Sequence, residues 1–125
     1  MHLLSSLLFI VSFFHLPAPI TTFGMAAEYG SIGLLAESYE PFFELENGMT
    51  VVFDGEYYKV TEIQKYQALE PNSPYSDFVV DGNIVSAGYV FMKVYGVPGR
   101  LVFQTCIERD GITDWGRLFV IAEKQ

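Results

Sequence analysis

The chain has 125 residues, half of them hydrophobic and 16% aromatic, which supplies a core for one domain and excludes disorder for most of its length. Fifteen Asp and Glu against seven Lys and Arg give a formal charge of −8, a surface repelled by nucleic-acid phosphates and by anionic membranes. A single cysteine, Cys106, excludes an internal disulfide.

Residues 1–27 contain no Asp, Glu, Lys or Arg, so every one of those charges falls in 28–125. The mostly apolar run Leu3–Leu16 has fourteen residues, short of the roughly 20 that a helix needs to span a bilayer. Its length suits the apolar stretch of a secretory signal, with Gly24-Met25-Ala26 as a small-x-small cleavage site, although no Lys or Arg precedes it. The alternatives are a translated upstream stretch with Met25 as the working start, or a retained apolar arm buried against a partner, which is the reading preferred here. Residues 28–41 carry acidic side chains and no basic one, and read as a connecting segment with a short helical turn over Ser31–Ser38 that Gly33 weakens and Pro41 ends.

From residue 42 the signals are those of an antiparallel β domain. Asp54-Gly55 is a two-residue hairpin turn in which both residues take positive φ. It pairs Phe53 with Glu56, Val51 with Tyr58 and Met49 with Val60, collecting the apolar members on one face. Gln64–Tyr75, with two prolines, reads as a long loop, and Phe78–Val80 with Ile84–Val85 as a short hairpin around Asp81-Gly82-Asn83.

Gly96-Val97-Pro98-Gly99 reads as a turn between two further strands, and Asp110-Gly111 as another two-residue turn. Together they oppose Met92 to Phe103, Val94 to Leu101, Phe103 to Leu118 and Leu101 to Val120. Val90, Met92, Val94, Leu101, Phe103, Leu118 and Val120 then form one apolar face across three strands. The reverse face holds Phe91, Tyr95, Val102, Cys106, Trp115 and Phe119 beside Lys93, Gln104 and Arg117, too apolar for a solvated sheet. It needs a cover, from the N-terminal part or from another chain. The expected fold is therefore all-β, a small antiparallel barrel or sandwich of about seven strands with an apolar N-terminal arm.

The chemistry is sparse. His2 and His15 are the only histidines and both precede the body, so no metal pair or histidine-based triad is available there. Cys106 lacks an imidazole to activate it and reads as a small buried residue near Trp115. Glu108, Asp110 and Asp114 read as solvated turn acids, and Asp77 with Asp81 lacks the spacing of a calcium loop. No glycine pattern for phosphate and no Asn-x-Ser/Thr acceptor occurs. No catalytic, metal or cofactor residue is thus expected. Tyr57, Tyr66, Tyr75, Tyr89, Tyr95 and Trp115 serve either as cross-strand packing, as interface anchors or as a ligand platform.

The stretch Asn47-Gly48-Met49-Thr50-Val51-Val52-Phe53-Asp54-Gly55-Glu56-Tyr57-Tyr58-Lys59-Val60 resembles the opening hairpin of small SH3-like β-barrels, in tailed-phage neck and tail subunits and in translation factors. The phage resemblance implies a non-enzymatic subunit repeated around a symmetry axis, and no residue role carries over with it. The leading expectation is a structural subunit of a homo-oligomeric assembly in a virion, partnered by other protein subunits. Its interface candidates are Phe91, Tyr95, Val102, Trp115 and Phe119, with Leu8, Phe9, Phe13 and Phe14 of the arm. The alternative is a secreted β-sandwich, freed of residues 1–26, that recognises carbohydrate or a cell surface through its aromatics.

Overall fold

The computed structural model describes residues 8–11, as backbone, and 20–125. Leu8, Phe9, Ile10 and Val11 form a strand, while Phe13, Phe14 and both histidines lie outside the described residues. The molecule is mostly β. Its strands are β1 (Leu8–Val11), β2 (Thr21–Thr22), β3 (Ile32–Ala36), β4 (Thr50–Phe53), β5 (Glu56–Ala68), β6 (Phe78–Val80), β7 (Asn83–Val85), β8 (Leu101–Arg109) and β9 (Ile112–Lys124). Two helices, α1 (Gly24–Glu28) and α2 (Ala87–Tyr95), and a 3₁₀ segment over Glu40–Glu44 complete the described elements.

The Asp-Gly turns set the hairpins. Asp54, Asp81 and Asp110 have φ of 51°, 51° and 53°, and the following glycines 79°, 82° and 81°, the doubly positive geometry of the type I′ turn. β4 and β5 pair Val51 with Tyr58 and Phe53 with Glu56, as the turn predicts. The Val60 amide extends the pairing by donating to the Met49 carbonyl at 2.9 Å. β6 and β7 join through Asp81-Gly82 alone, one residue tighter than expected.

β8 and β9 depart from the expected register. Arg109 faces Ile112, but Phe103 lies opposite Val120 instead of Leu118, and Leu101 opposite Ala122. The cause is a bulge: Thr113–Trp115 of β9 stand against Glu108 alone, between the pairs Ile107–Gly116 and Arg109–Ile112. The slip is an even number of residues, so each side chain keeps its face. Leu101, Phe103, Leu118 and Val120 all point into the core, each no more than 1% exposed.

One sheet holds all nine strands, in the order β1-β4-β5-β9-β8-β3-β2 with β6 and β7 branching from β5. Every ladder formed within 42–125 is antiparallel, and the parallel ladders come from upstream: β1 runs parallel to β4, and β3 to β8. Among the described residues the ladders do not close the sheet. Residues 32–36 are therefore not part of a connecting segment, and the turn expected over Ser31–Ser38 does not form. The uncharged run Ile-Gly-Leu-Leu-Ala lies beside β8, with Leu34 fully buried, as suits a strand covered on both sides. Gly33 is required there, because a Cβ would stand 2.9 Å from Cβ of Phe23 and 3.2 Å from the Tyr95 ring.

The expected strand through Val90–Val94 is helix α2. Ser86 caps it, its hydroxyl accepting from the Tyr89 amide at 3.1 Å. Ala87, Val90, Phe91, Val94 and Tyr95 recur at helical spacing and are buried, whereas Met92 is 59% exposed. Arg100 closes the other end by donating to the Lys93 and Val94 carbonyls at 3.2 and 3.0 Å.

Two cores result. The inner one joins Leu34, Phe42, Val51, Phe53, Tyr58, Val60 and the inward side chains of β8 and β9. The outer one lies between α2 and the reverse face of the sheet, where Val102, Phe119 and Ile121 meet Val90, Phe91, Val94 and Tyr95. The reverse face thus has its cover within the chain. Phe91, Tyr95, Val102 and Phe119, expected at a subunit interface, are at most 3% exposed and belong to this outer core.

Candidate functional site

The outer face of β8 and β9 changes character where α2 ends. Val102, Phe119 and Ile121 lie under the helix, whereas Gln104, Cys106 and Arg117 line an open groove of about 540 Å³. Its other walls are Glu37 and Ser38 beyond β3, the loop from Pro71 to Pro74, and Thr113 with Asp114 in the bulge of β9. A second hollow of about 430 Å³ adds Glu40, Phe43 and Glu108, and it shares Ser38 and Cys106 with the first. The thiol therefore stands where two depressions meet.

Strand pairing sets Cys106 directly opposite Arg117, so both side chains leave the same face of the ribbon. Arg117 is only 8% exposed. One terminal nitrogen donates to the carbonyls of Asp114 and Gly116 at 3.0 and 3.1 Å, the other to those of Pro71 and Ser73 at 3.3 and 3.4 Å. Main-chain dipoles thus solvate the buried cation, and among the described residues no carboxylate is ion-paired with it. These bonds also tie the 69–77 loop to the sheet.

The loop is internally braced as well. Leu69 donates to the Asp77 carbonyl at 2.9 Å, the Glu70 amide to the Ser76 hydroxyl at 2.8 Å, and Ser76 is fully buried. Opposite, the Tyr39 amide donates to the Thr105 hydroxyl at 2.8 Å, pinning the segment that carries Glu37 and Ser38 against β8. Ser38 holds φ of 42°, unusual for a residue with a side chain.

Burial is the main influence on the Cys106 thiol and pushes its pKa up. The Arg117 guanidinium opposes this, the Asp114 and Glu37 carboxylates add to it, and a hydrogen bond from the Ser38 backbone pulls the other way. At neutral pH the group rests as a thiol, with stabilisers of the thiolate and its opponents both in place. Gln104 is 6% exposed, and its Oε1 accepts from the fully buried Tyr95 hydroxyl at 2.6 Å.

Trp115, the remaining body residue named as an interface candidate, is half-buried beside this region. Its ring is capped by the Arg109 guanidinium at 4.1 Å, a cation–π contact that occupies one ring face. Tyr57, Tyr75 and Tyr89 are each more than half exposed. Among the described residues no group of three or more metal-ligating side chains occurs, and no helix is long and apolar enough to cross a membrane.

The sequence puts Gln104, Cys106 and Arg117 on one face but attaches no site to them, because that face reads as too apolar to be solvated and in need of a cover, from the N-terminal part or from another chain. Glu37 and Ser38 were missed, since the segment holding them was read as a connection. The usable signal was the change from Val102 to Gln104 along β8 and from Phe119 to Arg117 along β9, which marks the edge of a covered patch. No protein family's sequence pattern, no curated protein and no solved structure matches the chain.

Proposed function

We propose that the protein works through this groove, as a binding module that holds an extended, cationic ligand across the Cys106 thiol. The observation that carries the reading is the meeting of two hollows at Ser38 and Cys106, with the paired Arg117 beneath and carboxylates on the walls. Glu37 and Asp114 flank one hollow, Glu40 and Glu108 the other, and Arg117 already spends its terminal donors on carbonyls. A chain with a net charge of −8 repels anions, so a long ligand bearing amines suits this path.

Alkylation of Cys106 tests it. A short acetylated, amidated peptide of alternating lysine and alanine is expected to slow maleimide labelling of the thiol, and the same peptide with glutamate in place of lysine to leave the rate unchanged. Equal rates with and without the lysine peptide would refute the reading.

A second reading, acyl transfer, is favoured by one observation: a guanidinium stands across the strand from the thiol and a backbone N–H reaches it. In that chemistry the sulfur forms a bond to an acyl carbon, the ester C–O bond breaks, and the alcohol departs with the thiol proton. Arg117, whose terminal donors stay on main-chain carbonyls, would contribute only its positive charge across the strand, favouring the thiolate that attacks. A mass gain equal to the acyl group after exposure to an activated lysyl ester, absent in Cys106→Ser, would establish it. No mass gain would leave binding as the whole function.

The virion and homo-oligomer reading keeps the apolar N-terminal residues as its support. The sheet face on which it rested lies under α2. The carbohydrate reading keeps exposed Tyr57, Tyr75 and Tyr89.

A further inference from the structure

Gln104 presents an asymmetry. Its carboxamide is the polar group nearest the edge of the outer core, on β8 two residues before Cys106, and the residue is 94% buried, being 6% exposed, while still lining the groove. The Tyr95 phenol is fully buried and burial holds it neutral, well above the usual tyrosine range, so its hydroxyl needs an acceptor. Gln104 Oε1, at 2.6 Å, is that acceptor. Rotating the amide would let the phenol oxygen accept from the NH2 but would leave the buried O–H without its acceptor, so Tyr95 favours the orientation with Oε1 inward. The NH2 end is thereby turned away from Tyr95. Among the described residues it has no hydrogen-bond partner, and it is not sealed from the groove.

We propose that Gln104 is the recognition donor of the groove, its NH2 binding an amide carbonyl oxygen of the segment that crosses Cys106, with Tyr95 as the residue that positions it. This rests on the groove being the binding site. It adds what acidic walls alone do not supply: a cation needs only charge, whereas a donor fixed in one orientation selects ligands with a carbonyl at a set distance from the thiol. The NH2 is open to the groove, so a ligand carbonyl takes the place of solvent there and gains one hydrogen bond from a donor already held in position by Tyr95. Leu35, opposite Gln104 on β3, adds an apolar contact to the same stretch of wall.

The test measures binding of the fluorescently labelled lysine–alanine peptide to the full chain by anisotropy, with spermidine, a cation without a carbonyl, as competitor. Gln104→Leu is expected to weaken peptide binding about tenfold, the loss of one good hydrogen bond to an oriented donor, and to leave spermidine competition unchanged. Because that variant orphans the Tyr95 hydroxyl, the double variant Gln104→Leu with Tyr95→Phe removes both polar partners and guards the fold. It is expected to give the same tenfold loss. Tyr95→Phe alone, which frees the amide to turn, is expected to lose about threefold in peptide affinity with no change for spermidine, a split that mere loosening of the core would not produce. Unchanged peptide affinity in a folded double variant would overturn the assignment while sparing the groove. Failure of the peptide to bind the wild-type chain would overturn both.

Discussion

Two ends of one sheet face behave as different materials. Under α2, Val102, Phe119 and Ile121 are fully buried among the aromatic and aliphatic side chains of the helix, with Phe91 and Phe119 ring centroids 6.5 Å apart. Past the helix, on the same two strands, Gln104, Cys106 and Arg117 are held by hydrogen bonds and charges and open to a groove. The strands supply an identical platform, and the length of α2 decides where stability ends and chemistry begins. Substitutions at the two ends should therefore fail in different ways.

The largest effect is expected at the dry end. Phe119→Ala should cost about 3–5 kcal/mol, read from chemical denaturation, because the ring packs against Tyr66, Phe91 and Tyr95 and nothing nearby can fill the space. Phe91→Asp should prevent folding outright, where an interface role would have left a folded monomer. The N-terminal boundary belongs to the same comparison. Ile20 lies in the inner core and Phe23 in the outer, 5.2 Å from the Tyr95 ring, so a chain beginning at residue 27 should lose several kcal/mol of stability.

At the wet end, Arg117→Met is expected to cost about 1–3 kcal/mol, since carbonyls buried against the guanidinium lose their donor. Its more specific signature is local: hydrogen exchange should rise in the 69–77 loop, which Arg117 ties down at Pro71 and Ser73, and remain unchanged in α2.

Glu37→Gln with Asp114→Asn should change stability least and reactivity most. Both carboxylates disfavour the thiolate, so removing them lowers the Cys106 pKa and speeds its alkylation at neutral pH, with the midpoint of the pH–rate curve moving down. The wild-type thiol titrates higher folded than unfolded. The folded state accordingly loses stability as the pH rises above the ordinary thiol range, where the unfolded chain alone releases its proton. Cys106→Ala should abolish that component of the alkaline loss.

Much of the sheet was legible in the residues because turn chemistry is local. Asp54-Gly55 fixed the β4–β5 register, and Asp110-Gly111 placed Phe103 and Leu118 inward in spite of the bulge at Thr113–Trp115. What was illegible depended on longer range. β3 is an apolar run whose identity comes from lying beside β8, a neighbour distant in sequence. In Val90–Val94 the apolar residues fit a period of two as well as of 3.6, and only Ala87, Phe91 and Tyr95, with the Ser86 cap, separate the two. That ambiguity hid the site too, since reading α2 as a strand left the reverse face bare and its polar end unremarkable.

The helix is thus the hinge of the account, and one measurement addresses it directly. With Cys106 replaced by serine, single cysteines at positions 91 and 92 can be labelled with a maleimide in the native protein. The helix predicts fast labelling at 92, where Met92 is 59% exposed, and strong protection at 91, where Phe91 is 3% exposed. The opposite pattern, with 92 protected and 91 reactive, is what an alternating strand would give, and it would contradict both the covered face and the groove beside it.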